Sequence, residues 1–193
     1  MKKIKESIRE KEYKILMNYI TNNETMRDNT KANMLKVFTL LYYTGARLNE
    51  LTQLRNKDIL DLLTNKEIIL LTHKTKNERK VYFTDEAIKS ISKVFIKLQI
   101  DSEPEDYKVV RVKGKAFSSP STIGFIQQTN KIIQEILGDR YTSNSFRQGL
   151  ITELGAKSVN PKIIQTFIGH KDIKTTMNYI KPSEEDIRNS LIR

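Results

Sequence analysis

Apolar residues recur at three- and four-residue steps along most of this chain, the spacing of helices that turn one face toward a core. Residues 11–22 and about 28–43 follow this pattern, and Thr44-Gly45 ends the second run. The same spacing, together with capping residues and a proline at a first helical position, predicts the other helices: Ala46–Leu54, Asp85 to about Leu98, about 119–137, Ser145–Gly155, Pro161–Ile168, a short helix from Ile173, and a last helix over about 183–193.

One stretch departs from the helical spacing. Short β-rich runs at Ile59–Leu63, Glu67–Thr72 and Arg79–Thr84 are separated by polar turns, which predicts an antiparallel sheet of three strands. Residues 99–118 lack a period and carry an acidic cluster at 101–106, which indicates a surface loop with a short strand at Val109–Val112. We therefore expect a single domain over residues 1–193 that is mainly α with a small three-stranded antiparallel sheet, an α+β fold.

The composition limits the chemistry that such a domain can perform. The 193 residues include no cysteine and two histidines, which excludes a disulfide framework and a cysteine nucleophile and argues against a metal centre; no cofactor is expected. The net charge of +11 suits a polyanionic partner such as nucleic acid. Without an apolar run of about 20 residues or a signal-peptide pattern at the N-terminus, we expect a cytoplasmic protein with no membrane partner.

Four segments place groups suited to phosphate binding at the edges of apolar helices. An arginine fork grips a phosphate through two hydrogen bonds, which lysine cannot do. Taken singly, each segment has an ordinary explanation, such as an exposed ion pair, a solvated hairpin tip or a tyrosine in a core. The segments carry Arg47 and Glu50 behind Thr44-Gly45; Lys74, Lys76 and Arg79 around a hairpin tip; Asn144, Arg147 and Gln148 at a helix start; and His170 and Lys171 behind Gly169, with Tyr179 following.

Taken in order, the stretches TGARLNEL, HKTKNERKVYF, NSFR and IGHKDIKTTMNYI resemble the signature of the tyrosine recombinase (phage integrase) family. The resemblance covers about residues 10–185. Asn144 stands where the family usually has histidine, Gln148 where it often has a second one, and the family's separate N-terminal DNA-clamping domain is absent from this sequence. The resemblance implies the catalytic set Arg47, Lys74, Asn144, Arg147 and His170 with Tyr179 as nucleophile, support from Glu50 and Gln148, and DNA contacts at Lys76, Arg79 and Lys171.

The family reaction implies a role for each catalytic residue. A tyrosine attacks a DNA phosphodiester, which leaves a 3′-phosphotyrosyl link and a free 5′-hydroxyl without a metal or a nucleotide. Arg47 and Arg147 would neutralise the phosphate oxygens, Lys74 would protonate the leaving oxygen, and His170 would donate a hydrogen bond to the phosphate. Asn144 can hold a phosphate oxygen or orient Tyr179 but cannot shuttle a proton, so we expect a slower enzyme.

The resemblance also implies partners. We expect double-stranded DNA as substrate, a monomer in isolation, and a homo-tetramer on DNA in which the tail helix 183–193 docks on a neighbouring protomer. Arg47, Lys74, Arg147 and His170 should converge on one cationic groove, away from the acidic cluster at 101–106. Two alternatives stay open: a catalytically weakened or inactive DNA-binding regulator of a mobile element, and a tyrosine-type DNA topoisomerase.

Overall fold

Helices form most of the domain in the computed structural model, which describes residues 6–71, 78–113 and 115–180. A two-stranded hairpin follows the fourth helix, and one turn of 3-10 helix spans Ile100–Ser102. The elements are α1 (Glu10–Asn22), α2 (Asp28–Thr44), α3 (Leu48–Leu51), α4 (Asn56–Asn65), β1 (Glu67–Leu71), β2 (Glu78–Tyr82), α5 (Asp85–Lys97), α6 (Thr122–Leu137), α7 (Ser143–Ala156), α8 (Pro161–Ile168) and α9 (Ile173–Met177).

The sheet has two strands among the described residues, so the prediction of three strands was wrong. The predicted first strand, Ile59–Leu63, lies inside α4. Ile59 and Leu62 are both buried and stand three residues apart, as on one face of a helix, whereas a strand would have placed Asp61 beside Ile59. The Asp58 carboxylate also accepts the backbone N–H of Arg55 at 2.7 Å, which caps the helix start.

The loop after α5 contains no regular strand in its described part, so the prediction of a strand at Val109–Val112 was wrong as well. Its backbone forms two isolated bridges, between Arg55 and Lys108 and between Val112 and Lys115. Ion pairs from Glu103 to Arg111 and from Asp106 to Arg55 bind the acidic cluster locally. These two acidic side chains are therefore paired outside the site described below.

The hairpin register determines which of its side chains face the domain. Strand β1 runs antiparallel to β2 with Ile68 opposite Val81 and Leu70 opposite Arg79. Because side chains alternate along a strand, Arg79 lies on the same buried face as Val81. The hairpin tip between the strands lies outside the described residues.

Helix α2 forms the centre of the core, and most of its residues are buried. It packs against α1, α5 and α7, and Val37, Phe38, Leu40 and Leu41 are fully buried. Burying a side chain of this size stabilises a fold by about 1.5–3 kcal/mol. The C-terminal end of α2 is thus fixed inside the domain, and it carries the turn at Gly45.

A smaller apolar cluster lies between the C-terminal half of α7 and α8. Ile151, Ile164 and Ile168 are buried there, and Tyr179 and Ile180 pack against them.

No helix in the described part of the chain is long and apolar enough to cross a membrane. Within the same residues, no three His, Asp or Glu side chains are grouped so that they could hold a metal ion.

Candidate functional site

Two helix ends meet at the site, and each ends in a left-handed glycine. Gly45 follows α2 with φ 57°, and Gly169 follows α8 with φ 74°. The last carbonyl groups of a helix have no partner within it and carry partial negative charge. These two ends therefore present unpaired carbonyl oxygens that favour a positive group.

Two buried arginines bind these carbonyl groups as a matched pair. Arg147 donates from Nη1 to the Gly45 oxygen at 2.8 Å and from Nη2 to the Ile168 oxygen at 2.6 Å. Arg79 donates from Nη1 to the Phe167 oxygen at 2.8 Å, and both of its Nη atoms lie 3.4 Å from the Thr44 oxygen. Each of the two adjacent guanidinium groups thus joins a carbonyl at the end of α2 to a carbonyl at the end of α8.

Glu50 supplies the negative charge between Arg79 and a third arginine. Its Oε2 accepts from Arg79 Nη2 at 3.2 Å and from the Arg47 backbone N–H at 3.0 Å. Its Oε1 accepts from Arg47 Nη1 at 3.0 Å. The Arg47 side chain is 42% exposed, whereas that of Glu50 is 1% exposed, so Arg47 is the arginine that faces solvent.

The pKa of Arg147 reflects first its burial and then the excess of positive charge in the cluster. Burial, followed by the charges of Arg47 and Arg79, lowers the pKa of Arg147 to about 9, while Glu50 and Tyr179 act in the opposite direction. Burial also lowers the pKa of Arg79. Three guanidinium groups with one carboxylate favour the binding of an anion such as a phosphate diester.

His170 lies directly beside Arg147. Arg147 Nε donates to His170 Nε2 at 3.4 Å, and His170 Nδ1 lies 2.9 Å from Thr176 Oγ1. Burial, with Arg147, Arg47 and Arg79 in that order, lowers the pKa of His170 to about 4. The ring is therefore neutral at neutral pH, and in this arrangement both of its nitrogens already have partners.

Tyr179 is half-buried at the edge of the smaller apolar cluster, two residues after α9. Its backbone N–H donates to the Thr176 oxygen at 3.0 Å. Its phenol lies close enough to Arg147 to act on the pKa of that guanidinium. The ring thus packs against the apolar cluster, while the phenol interacts electrostatically with Arg147.

The remaining predicted site residues differ in their exposure to solvent. Asn144 is exposed in the first turn of α7, and Arg147, three residues later, is 6% exposed. Gln148 is half-buried on the same helix, and Lys171 is exposed beside His170. The predicted hairpin residues Lys74 and Lys76 lie outside the described residues.

Arg79 does not fit the expectation of a DNA contact, because it is only 7% exposed and its Nη atoms bind Glu50 and main-chain carbonyls. A Cβ built on Gly169 would lie 2.9 Å from Arg79 Cδ, so the turn before His170 rests on this side chain. The alternation of Arg79 with Val81 along the strand is the sequence signal that would have indicated an inward position.

Sequence reasoning also missed two residues that hold His170. Gln165 Nε2 donates to the main-chain oxygens of His170 and Lys171 at 3.0 and 3.2 Å. Thr176, which is fully buried, contacts the His170 ring. Neither residue type marks a catalytic role by itself, and both reach His170 only because α8 and α9 fold against the same turn.

A comparison with known protein families matches residues 6–186 to the phage integrase family. Among curated relatives, the tyrosine recombinase XerC of Treponema denticola is 28% identical over 168 residues, which cover 79% of this chain and 53% of that protein. Among solved structures, the XerA recombinase superposes with a TM-score of 0.70 at 20% identity, covering 98% of this chain and 65% of that one. The XerH recombinase bound to its difH DNA in a post-cleavage complex gives a TM-score of 0.69 at 21% identity, covering 97% of this chain and 53% of that one.

At 20–21% identity the two solved structures show a shared fold. This chain spans about half the length of the curated XerC relative that it matches.

Proposed function

Because this chain belongs to the phage integrase family, we propose that it breaks and rejoins DNA strands in site-specific recombination, through a covalent phosphotyrosyl intermediate on Tyr179. The observation that carries the proposal is the cluster of Arg47, Arg79 and Arg147 around the single carboxylate of Glu50, with Tyr179 at its edge. Such a cluster provides a site for one phosphate group next to a nucleophile.

Arg47 and Arg147 are the two residues that we propose bind the scissile phosphate. A guanidinium group has five N–H donors. Arg147 uses donors on Nε, Nη1 and Nη2 for His170 and for two carbonyls, which leaves it one N–H on each Nη atom. Arg47 uses one guanidinium donor for Glu50 and is far more exposed. Arg47 therefore meets the phosphate first, and Arg147 binds it from a fixed position.

Tyr179 and Lys74 complete the proposed reaction. The Tyr179 oxygen forms a bond to phosphorus and releases its proton to solvent, and the bond from phosphorus to the 5′-oxygen breaks. Lys74 gives a proton to that departing oxygen, and rejoining follows the reverse path. Arg79 supports this role of Lys74 indirectly, because its bonds anchor the strand that leads out of the hairpin tip.

Asn144 is exposed in the first turn of α7, and we propose that its amide donates a hydrogen bond to the same phosphate. An amide cannot exchange protons as an imidazole does, and general acid–base help is typically worth about 10²–10⁴-fold in rate. We therefore propose a slower enzyme than a relative with histidine at this position. The same feature is what favours the second candidate function, a DNA-binding regulator that does not cleave.

Double-stranded DNA is the proposed substrate, and a tetramer is the proposed assembly on it. An apolar groove of about 470 Å³ runs beside α7 and α8 and includes Leu150, Leu154, Ile163 and Phe167. A Cβ built on Gly155 of α7 would lie 3.0 Å from Ile180, so the chain leaves the described domain next to this groove. We propose that the predicted tail, residues 183–193, of a neighbouring protomer fills it.

The central experiment selects the DNA site and detects cleavage in one step. The protein is incubated with nicked duplexes whose sequence around the nick is randomised, so that the short cleaved strand diffuses away and rejoining is blocked. Adducts that survive denaturing electrophoresis are recovered, and the attached DNA is sequenced. We expect an adduct with the parent protein and with Tyr19→Phe, a partly exposed tyrosine on α1, and none with Tyr179→Phe.

Three outcomes would overturn the proposal. An adduct that persists in Tyr179→Phe would move the nucleophile elsewhere. Salt-sensitive DNA binding without an adduct would support the regulator. Relaxation of supercoiled DNA by the parent protein, without pairing of two duplexes, would support the topoisomerase.

A further inference from the structure

Thr176 makes a contact with His170 that none of the proposed catalytic roles uses. The residue is fully buried in α9, and its hydroxyl oxygen lies 2.9 Å from His170 Nδ1. It stands three residues before Tyr179, and its main-chain oxygen accepts the Tyr179 backbone N–H at 3.0 Å. One side chain thus contacts the histidine while its own main chain holds the segment of the tyrosine.

The bond from Arg147 determines which nitrogen of His170 carries the proton. A guanidinium group only donates hydrogen bonds, so the Nε2 atom that faces Arg147 Nε must present a lone pair. In a neutral imidazole the proton then lies on Nδ1 and is donated to Thr176. The charge around the ring agrees, since burial and three arginines lower the pKa of His170 to about 4.

The geometry points to Thr176 as a positioning residue that holds His170 in the Nδ1–H tautomer and couples Arg147 to the segment that carries Tyr179. The continuous path runs from Arg147 through His170 and Thr176 to the Tyr179 backbone. A shift of α9 that moves the tyrosine must then move the histidine and loosen the contact with Arg147. The consequence for cleavage rests on the proposed function, whereas the tautomer does not.

Thr175 offers a matched control for this role. It is the neighbouring residue of the same helix, has the same side chain and is exposed. Thr175→Val and Thr176→Val therefore make the same chemical change on α9. Thr176→Ser retains the hydroxyl group and should restore what Thr176→Val loses.

The first measurement is the ¹⁵N spectrum of the imidazole rings at neutral pH. The chain has two histidines, so His170→Asn identifies the signals of His170. We expect the Nδ1–H tautomer in the parent protein, in Thr176→Ser and in Thr175→Val. In Thr176→Val the buried Nδ1–H loses its acceptor, so the signals should move toward a mixture of tautomers. An Nε2–H tautomer in the parent, or unchanged signals in Thr176→Val, would overturn the proposal.

The second measurement is the single-turnover rate of adduct formation on the recovered DNA. We expect Thr176→Val to slow cleavage about 10–100-fold, the usual effect of losing a partner that orients a functional group. DNA affinity and thermal unfolding should stay close to those of Thr175→Val. A changed tautomer with an unchanged rate would overturn the coupling. If the parent protein forms no adduct, the proposed function fails while the tautomer measurement still decides the role of Thr176.

Discussion

Arg79 donates from Nη2 to Glu50 Oε2 at 3.2 Å, and the two side chains are 5% and 1% exposed, so they form a buried ion pair. The pair joins the second strand of the hairpin to the helix that follows Arg47. Because Glu50 also binds the Arg47 guanidinium and backbone, the position of the exposed arginine depends on the buried one.

Removing the buried partner should destabilise the protein strongly. Arg79→Met removes the buried partner of the Glu50 carboxylate, which keeps only its hydrogen bonds from Arg47. It also removes the side-chain donor of the Phe167 and Thr44 carbonyls. Breaking a buried ion pair from one side typically costs about 3–5 kcal/mol, which urea unfolding followed by circular dichroism would measure. Lys80→Met, on the outward face of the same strand where Lys80 pairs with Glu67, should leave the urea midpoint nearly unchanged. Equal midpoints for the two variants would contradict the structural role given to Arg79.

Arg47 should be needed for cleavage but not for folding. Arg47→Ala removes the exposed donor of the phosphate site, and we expect adduct formation to slow by about 10²–10³-fold. Arg55→Ala is the matched control, because Arg55 precedes α4 as Arg47 precedes α3, is 43% exposed, and pairs with Asp106. Adduct formation in Arg55→Ala should equal that of the parent, and equal losses in both variants would argue that neither arginine acts at the phosphate.

The titration of His170 should lower stability in mild acid. Its pKa in the folded protein is about 4, below the ordinary value of 6.5. Between these two values the unfolded chain binds the proton and the folded protein does not, so stability falls as the pH decreases from 6.5 toward 4 and is unaffected above that range. Proton NMR titration of the ring gives the pKa directly. His170→Asn should lose less stability between pH 7 and pH 5 than the parent, and an ordinary pKa for His170 would refute the burial argument.

The N-terminal segment should hold the start of α7 through a contact that only glycine permits. A Cβ on Gly149 would lie 2.0 Å from the Ile8 carbonyl oxygen, and the Ile8 N–H donates to the Ser145 oxygen at 3.0 Å. Gly149→Ala should therefore displace Ile8 and speed hydrogen exchange at its amide. In Gly155→Ala on the same helix, the atoms nearest to the new Cβ belong to the Ile180 side chain, so that exchange should stay unchanged. Slow exchange in Gly149→Ala would show that the segment adapts without leaving α7.

Asn144→His tests how the site works without the family's histidine. The residue is exposed, so the substitution should leave stability unchanged. An imidazole can exchange protons, and we expect faster adduct formation, up to the range of about 10²–10⁴-fold that general acid–base catalysis supplies. Single-turnover rates on the recovered DNA would measure this. A lower rate would mean that the surrounding residues suit the amide.

The helices were largely predictable because their ends carry local signals. The predicted limits of α8, with Pro161 at its first position and Gly169 after its last, are those observed. The strand prediction at Ile59–Leu63 was wrong because a short apolar run fits either period, and the decision came from the cap at Asp58 and the left-handed Lys66 that ends α4. The period of such a short run does not distinguish a helix from a strand, so the residues that flank the run decide between them.

The order and spacing of Arg47, Arg147, His170 and Tyr179 in the sequence were enough to indicate the family, and with it the chemistry that we propose for the site. Only the tertiary structure decided that Arg47 is exposed, whereas Arg147 is buried. Arg147 binds Gly45, 102 residues earlier, and Ile168, 21 residues later. A contact between such distant segments exists only once α2, α7 and α8 have packed together, so no local pattern in the chain could have shown it.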